Sequence, residues 1–380
     1  MIYLDSGATT MEKPPSVAWA MAHAVGEMSS PGRGNYPASQ KAMQTAFSCR
    51  EAAAELFGVP SPEQVVFTSN ATHGLNIAIR TLVRPGCRVA VSGYEHNAVT
   101  RVLHSIPGVE IMVIDAPLFR PEKMLEGFQK ALRQGVDVVI CNHVSNVFGC
   151  IQPVEELAIL CKKFHTPLIV DASQSAGILP VSLSAWEAAF VAMPGHKGLY
   201  GPQGMGLLLC GQKAQPLLCG GTGSASRSPT MPADLPDRLE AGTHNMPGIA
   251  GLLEGIKFVR RTGPERIALR EKRLTRRASV GLSRLPGVEI FTDENDMVQT
   301  GVLSFRVKGV DSELIGEELA KRQIAVRAGL HCAPLAHRTA GTLETGTVRI
   351  SPSVFNTEMH IDIFLREVGS ILRENTKKTV

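Results

Sequence analysis

The sequence is poor in aromatic residues and has no dense basic surface pattern. Aromatic side chains make up 5% of its 380 residues, too few to interleave with a basic stripe of the kind that binds nucleic acid. Basic residues outnumber acidic ones by 39 to 35, and they are spread along the chain. We therefore do not expect nucleic acid as a partner.

Signals for membranes, secretion and disulfide bonds are missing as well. No apolar run approaches the roughly 18 residues that span a bilayer, and the first residues show no basic stretch followed by an apolar one. The eight cysteines are scattered, include no CxxC pair, and in several cases lie within apolar runs. This favours reduced, buried thiols over a disulfide framework or a zinc finger. The sequence predicts a cytoplasmic protein without a membrane partner.

Short apolar runs alternate with helix-like stretches from about residue 50 onward. Runs such as residues 65–69 and 167–171 are apolar on both faces, which is typical of a mostly parallel sheet covered on both sides by helices. A Gly/Ser/Pro-rich loop, residues 220–236, leads into a long helical stretch, 247–285, and then into short strands and helices. We predict an α/β fold with two domains. The large domain spans residues 15–255, and a smaller C-terminal α+β domain spans residues 256–380 and is completed by residues 1–14.

Polar residues follow several of the predicted strands, where ligands bind in an open α/β sheet. A strand-to-helix turn at residues 70–73 would present free N–H groups beside the Thr72 hydroxyl and suit a phosphate, although a plain helix cap explains Thr72 equally well. Asp171 ends a buried strand, where a carboxylate needs a cationic partner or serves as a helix cap. Lys197 lies between glycines at another strand end; the alternative is a surface lysine in a turn.

A lysine, an acid and an anion site together suit an aldehyde cofactor. The lysine forms a Schiff base, the acid keeps a pyridine nitrogen protonated, and the anion site binds a phosphate. With these motifs in this order, the sequence resembles the fold-type I pyridoxal-phosphate enzymes, specifically the class V aminotransferase and cysteine desulfurase family. The resemblance runs from Tyr3–Ser6 to Val348–Ser351. It implies a large domain with a mostly parallel seven-stranded sheet, and pyridoxal 5'-phosphate as the cofactor.

The resemblance also implies roles for residues around the cofactor ring. Lys197 would carry the Schiff base, and Asp171 would face the pyridine nitrogen. Gln174 would hydrogen-bond the phenolate oxygen. His96 would stack on the ring and relay protons, and Asn146 would lie near the substrate and the ring.

The implied phosphate site departs from the family pattern at one position. Ala71, Thr72 and His196 would bind the phosphate, and Thr243 would reach the phosphate of the neighbouring subunit, which implies a homodimer. The family usually has Ser or Thr two residues before the histidine of its His-Lys pair, but this chain has Pro194, with neither a hydroxyl nor an N–H. One phosphate contact of the family is therefore in doubt here.

A cysteine far along the chain decides between related activities. On its own, Cys332 reads as a buried cysteine in a loop, or as part of a three-ligand metal site with His331 and His337 that lacks the usual ligand spacing. The segment Arg327–Pro334 resembles the Arg-x-Gly-x-His-Cys-Ala motif of the short-loop cysteine desulfurases, the branch with SufS-type and selenocysteine-lyase-like enzymes. The resemblance implies that Cys332 takes sulfur from L-cysteine as a persulfide and that alanine is released.

Nearby cationic or histidine groups would favour the thiolate form of this cysteine. His331, Arg327 and Arg349 are the candidates. Arg349 also matches the family arginine that binds the substrate carboxylate, a task suited to the paired hydrogen bonds of a guanidinium. A plain aminotransferase would share Lys197 and Arg349 but would have no need of the Cys332 thiol.

Other activities remain open at this point. The alternatives are a selenocysteine lyase, a cysteine-sulfinate desulfinase, a class V aminotransferase, or a non-catalytic scaffold on the same fold. As a desulfurase the protein would act on a small molecule, L-cysteine or a close analogue, and would pass sulfur to an acceptor protein in sulfur mobilisation such as iron–sulfur cluster assembly. The sequence does not identify that acceptor.

Overall fold

The computed structural model describes residues 1–32, 34–293 and 297–378, with side chains described up to residue 374 in the last helix. The strands are β1 (Ile2–Tyr3), β2 (Val65–Thr68), β3 (Arg88–Ser92), β4 (Glu110–Ile114), β5 (Val138–Asn142), β6 (Leu168–Asp171), β7 (Phe190–Pro194), β8 (Gly206–Cys210), β9 (Val288–Phe291), β10 (Leu303–Val307), β11 (Ile324–Ala325), β12 (Arg327–Gly329) and β13 (Thr347–Ile350). The helices are α1 (Pro15–Glu27), α2 (Pro37–Leu56), α3 (Ala71–Leu82), α4 (Asn97–His104), α5 (Pro121–Arg133), α6 (Val154–Lys163), α7 (Leu183–Trp186), α8 (Met246–Thr262), α9 (Pro264–Leu282), α10 (Ser312–Lys321), α11 (Pro334–Thr339) and α12 (Glu358–Lys378).

Seven strands form the large sheet, in the order β2-β8-β7-β6-β5-β3-β4. Strand β8 runs antiparallel to its neighbours β2 and β7. The other neighbouring pairs are parallel. The structure therefore confirms the predicted α/β fold with a mostly parallel sheet of seven strands.

Both faces of this sheet are buried, which explains why its strands are apolar throughout. In β2, Val65 and Phe67 belong to one buried cluster with residues of α2, α5 and α6. Val66 points to the opposite face, into a cluster with residues of α3 and α4. Successive side chains of a strand alternate between faces, so an all-apolar strand requires cover on both sides.

A smaller antiparallel sheet, in the order β12-β13-β10-β9, packs with α9, α10 and α12 around a separate core. The chain's first residues join this region, because β1 pairs in parallel with β11 and Asp5 bridges Ser351. The boundaries of the predicted domains, 15–255 and 256–380 with 1–14, stay a prediction. In the described part of the chain, no helix combines the length and apolarity that a membrane crossing needs.

The prediction of one long helical stretch over residues 247–285 is wrong in one respect, because this segment consists of two helices. Gly263 has a φ of 89° and ends α8. Pro264 begins α9 at a position where its missing N–H costs nothing. The Gly-Pro pair thus allows a sharp change of direction between the two helices.

The parallel strands end at a common edge of the large sheet. In register, Asn142 at the end of β5 pairs with Asp171 at the end of β6, and Asp171 pairs with Ala192 near the end of β7. Polar residues that are far apart in the sequence are therefore brought together at the carboxyl ends of the strands.

Candidate active site

One cavity of about 220 Å³ opens at this edge, between the large sheet, the N-terminal segment and the loop that follows β12. It contains every predicted site residue except one. Those that line it are Ala71, Thr72, His96, Asn146, Asp171, Gln174, His196, Lys197, Cys332 and Arg349. The exception, Thr243, is exposed in the segment between β8 and α8 and does not line the cavity. Its predicted role concerns a second subunit and stays a prediction.

An anion cradle lies at the N-terminus of α3. Asn70 caps the helix by accepting a hydrogen bond from the His73 N–H at 2.9 Å, and the first-turn N–H groups of Ala71 and Thr72 have no helical carbonyl to bind. The N-terminal end of the helix dipole favours negative charge here. Residues of this chain thus fit a phosphate.

His196 adds a polar atom to the cradle. Its buried Nδ1 finds no hydrogen-bond partner among the described residues. Burial, with the charges of Lys197 and Lys13, lowers the pKa of His196 to about 4, so the ring is neutral at pH 7. Pro194 lines the cavity as well, and its ring supplies neither a hydroxyl nor an N–H to a ligand.

Lys197 is half-buried and lines this cavity. Burial lowers the pKa of its amine to about 8, and the carboxylate of Asp171 opposes that shift. The Asp171 side chain is fixed by the Ser173 N–H, which donates to its Oδ1 at 2.9 Å. An amine that is partly neutral near pH 7 can attack an aldehyde carbon.

His96 has one defined tautomer. Its Nδ1 accepts a hydrogen bond from the Ala98 N–H at 3.0 Å, so in the neutral ring the proton is on Nε2. Burial lowers the pKa of His96 to about 4, against the opposing effect of Asp171. Gln174 donates one amide hydrogen to the Gly7 carbonyl at 2.9 Å, which leaves its second amide hydrogen for a ligand.

Arg349 is buried and held at two of its three nitrogens. Nη1 donates to the Asn146 carbonyl and Nη2 to Asp5 Oδ1, both at 2.6 Å. The Asn146 side chain donates to the His331 carbonyl at 2.8 Å. Arg349 Nε and Asn146 Oδ1 are both buried and lack a partner within the described chain. Unpaired buried polar atoms are costly, so these two mark the place of a polar ligand.

Cys332 lines the same cavity and is exposed to solvent. Arg327 Nη2 lies 3.5 Å from its Sγ, and the Asn97 N–H donates to its carbonyl at 2.9 Å. His331, Arg327 and Arg349 were the predicted groups that would favour the thiolate. Burial holds the pKa of His331 well below its usual value, so its ring is neutral at pH 7, and the positive charge nearest the thiol is on Arg327.

The alternative metal site is not supported by the geometry. His331 and His337 hydrogen-bond each other, with Nδ1 and Nε2 3.3 Å apart, so these two nitrogens are not both free to bind a metal. Over the described residues, no group of three or more His, Cys, Asp or Glu side chains is placed to hold a metal ion.

Sequence reasoning missed several residues of the site. Gly7 and Asn142 also line the cavity, and Asp5 is the ion-pair partner of Arg349. In the predicted turn at residues 70–73, the cap is Asn70 and not Thr72, as an Asn directly before a helix would indicate. Asp5 and Arg349 are 344 positions apart, and nothing local in the sequence connects them.

Comparisons with known proteins agree with this architecture. The family model for class-V aminotransferases matches residues 2–364. A probable cysteine desulfurase from Methanothermobacter thermautotrophicus is 31% identical, with 98% of this chain and 94% of that protein covered. A probable cysteine desulfurase from Mycolicibacterium paratuberculosis is 32% identical over 98% of this chain. The chain spans about half of that relative's length, 55%.

Solved structures show the same similarity. A cysteine desulfurase from Thermococcus onnurineus NA1 superimposes with a TM-score of 0.89 at 30% identity, covering 98% of this chain and 95% of that one. A cysteine desulfurase from Escherichia coli gives a TM-score of 0.85 at 25% identity, covering 98% and 94%. These likenesses confirm the predicted fold-type I architecture. Because the family model extends over nearly all of its residues, this chain belongs to the aminotransferase class-V family.

Proposed function

We propose that this protein is a pyridoxal-phosphate-dependent cysteine desulfurase, which converts L-cysteine to L-alanine and receives the sulfur on Cys332. One observation carries the proposal: Lys197, Arg349 and Cys332 all line a single cavity. The amine, the guanidinium and the thiol can therefore act on one small amino acid. The relatives named cysteine desulfurases support the same activity.

The residues present fit the cofactor. Ala71, Thr72 and His196 would bind its phosphate, where a helix N-terminus and an unpaired ring nitrogen converge. Asp171 would keep the pyridine nitrogen protonated, and Lys197 would hold the aldehyde carbon covalently. When bound, the cofactor would supply an electron sink that turns the sulfur of cysteine into an acceptable leaving group.

Arg349 would orient the substrate. Its Nη groups are fixed by Asp5 and Asn146, so the unpaired Nε is directed by a rigid guanidinium. A carboxylate that accepts from Nε and an adjacent Nη would form the paired contact typical of arginine. The unpaired Asn146 Oδ1 would accept a hydrogen bond from the same ligand.

Cys332 would act as the nucleophile toward the substrate sulfur. As its thiolate attacks, a sulfur–sulfur bond forms and the bond between the substrate Cβ and sulfur breaks. The bonding electron pair stays with the carbon framework, which is protonated to alanine, and the persulfide remains on Cys332. Arg327 Nη2, 3.5 Å from the sulfur, would donate a hydrogen bond to it during this step.

Two groups of the chain can move protons in the cavity. The neutral His96 carries its proton on Nε2, since its Nδ1 accepts from the backbone. Lys197, with its pKa lowered to about 8, can both accept and release a proton near neutral pH. The assignment of His96 follows from its tautomer, and that of Lys197 follows from the burial that lowers its pKa.

The activity is tested by giving the purified protein with pyridoxal phosphate L-cysteine, L-selenocysteine or L-cysteine sulfinate. We expect alanine and sulfide from L-cysteine in equal amounts when a thiol reductant is present. The Cys219→Ser variant, which changes an exposed cysteine outside the cavity, should match the wild type. A 2-oxo acid in place of alanine would indicate an aminotransferase. Turnover of only the selenium or sulfinate substrate would indicate one of the other two lyases.

The proposal includes a cytoplasmic homodimer and a protein that accepts the sulfur. Helices α1 and α2 expose large apolar side chains: Trp19, Val25, Met43 and Phe47. A second copy could cover these side chains, and in such a dimer Thr243, which is exposed, would take the role that the resemblance implies for it. The acceptor would approach Cys332, which is exposed.

A further inference from the structure

The loop that carries Cys332 has a backbone conformation that side-chain-bearing residues rarely adopt. Gly329, His331 and Cys332 have φ values of 92°, 53° and 55°. For the two residues with a Cβ this left-handed conformation is strained, and such strain persists only where the surroundings fix it. Some contact must therefore hold the loop.

Three side chains next to the loop, those of His331, His337 and Thr342, form a hydrogen-bonded chain. His331 Nε2 lies 3.2 Å from the Arg327 carbonyl oxygen, and His331 Nδ1 lies 3.3 Å from His337 Nε2. On its other side, His337 Nδ1 lies 2.7 Å from Thr342 Oγ1. The two rings are nearly parallel, at 11°. The side chains of all three residues are buried.

Only one arrangement of protons satisfies this chain when both rings are neutral. A carbonyl can only accept, so His331 Nε2 carries the proton and its Nδ1 accepts from His337 Nε2. His337 Nδ1 must then accept from the Thr342 hydroxyl at 2.7 Å, which is the closer of that hydroxyl's two acceptors, since the His337 carbonyl lies 3.5 Å away. Every bond in the chain runs in the same direction, from Thr342 to the Arg327 carbonyl.

Both rings are neutral at pH 7 because of where they lie. Burial lowers the pKa of His337 to about 4. Burial also holds the pKa of His331 well below its usual value, and the charged groups that face it, Arg349 and Arg327, act in the same direction. Water has little access to either ring, since both are buried.

The hydrogen-bonded chain ends on Arg327, the residue that contacts the Cys332 thiol. Arg327 is held through its carbonyl by His331, and its guanidinium Nη2 lies 3.5 Å from Cys332 Sγ. From the other side, the Asn146 side chain bonds the His331 carbonyl and the Asn97 N–H bonds the Cys332 carbonyl. The loop is thus fixed on one side by the hydrogen-bonded chain and on the other by Asn146, which follows β5, and Asn97, which begins α4.

We propose that His337 and Thr342 are positioning residues for sulfur transfer, which hold the loop 327–332 in the conformation that places Arg327 against the Cys332 thiol. Neither of them lines the cavity, so each acts through His331. The role in sulfur transfer rests on the proposed function, whereas the positioning of the thiol does not depend on it.

A pair of substitutions at Thr342 tests this role. Thr342→Val removes the hydroxyl with little change in shape, and Thr342→Ser keeps it. We expect Thr342→Val to slow the first-order addition of sulfur to Cys332 by about tenfold, as for loss of one buried hydrogen bond, and Thr342→Ser to stay within about twofold of the wild type.

A second readout needs no turnover. Iodoacetamide alkylation of Cys332 at pH 7, followed by mass spectrometry of its peptide, should be several-fold slower in Thr342→Val than in the wild type, because the sulfur loses the hydrogen bond that the Arg327 guanidinium donates to it. The Cys219 peptide of the same sample serves as an internal control and should not change. Equal alkylation of Cys332 in wild type, Val and Ser variants would overturn the proposal, even if L-cysteine proved not to be the substrate.

A third measurement leaves the sequence intact, in case the valine variant does not fold. In ¹⁵N-histidine-labelled protein at pH 7, NMR should show His331 and His337 neutral, each with its proton on Nε2. A charged ring, or a proton on Nδ1 of either residue, would break the chain of donors and contradict the proposal.

Discussion

The Cys332→Ala protein is expected to release alanine from L-cysteine at least about 10³-fold more slowly than the wild type, the order of loss that follows removal of a catalytic nucleophile. The Cys332 thiol lines the cavity beside Arg327 and is the group placed to take the sulfur. Without it, the bond between the substrate Cβ and sulfur has no thiolate to receive the sulfur. The rate is measured as alanine formed per enzyme.

The visible spectrum separates this chemical defect from a defect in folding or loading. Lys197 and the phosphate cradle are unchanged in Cys332→Ala, so the variant should bind pyridoxal phosphate with the absorption band of the wild type. The Cys219→Ala variant provides the matched loss of an exposed thiol and should keep full activity. Undiminished turnover of L-cysteine by Cys332→Ala would exclude the persulfide route.

Lys197→Ala is expected to lose both the visible absorption band of the bound cofactor and turnover, the latter again by about 10³-fold or more. The amine lines the cavity, and burial lowers its pKa to about 8. Replacement of the exposed Lys213, as a control, should change neither property. An unaltered band in Lys197→Ala would refute the assignment of this lysine.

The pKa of Lys197 also sets how the cofactor-free protein captures the cofactor. Only the neutral amine attacks an aldehyde, so the capture rate follows the neutral fraction of Lys197. With a pKa of about 8, this fraction rises about tenfold from pH 6 to pH 7 and levels off above about pH 8. A rate that keeps rising to pH 10 would indicate an ordinary lysine and contradict the lowered pKa.

The sheet and most of the cavity could be predicted because their signals are local. Strands that are apolar on both faces predict a covered parallel sheet, and parallel strands bring their carboxyl ends to one edge. Asp171, the last residue of β6, and Lys197, which follows β7, therefore line one cavity although 26 positions separate them in the sequence. The resemblance then supplied roles that the pattern alone left open, such as the phosphate cradle at Thr72.

Contacts between distant segments could not be predicted. Asp5 bonds Arg349 across 344 positions, and the Asn97 N–H bonds the Cys332 carbonyl; both depend on how the small sheet packs against the large one. The charge state of His331 could not be predicted for a related reason, because the depth of its burial, which the sequence does not show, holds the pKa of the ring well below its usual value.

The most direct test of the account is the mass of the Cys332 peptide after one turnover without reductant. Purified protein loaded with pyridoxal phosphate is mixed with one equivalent of L-cysteine, quenched by alkylation and digested. We expect the peptide that contains Cys332 to carry one additional sulfur atom, and one equivalent of alanine to be released. Alanine formed while that peptide remains unchanged, or sulfur found on Cys219 instead, would contradict the account.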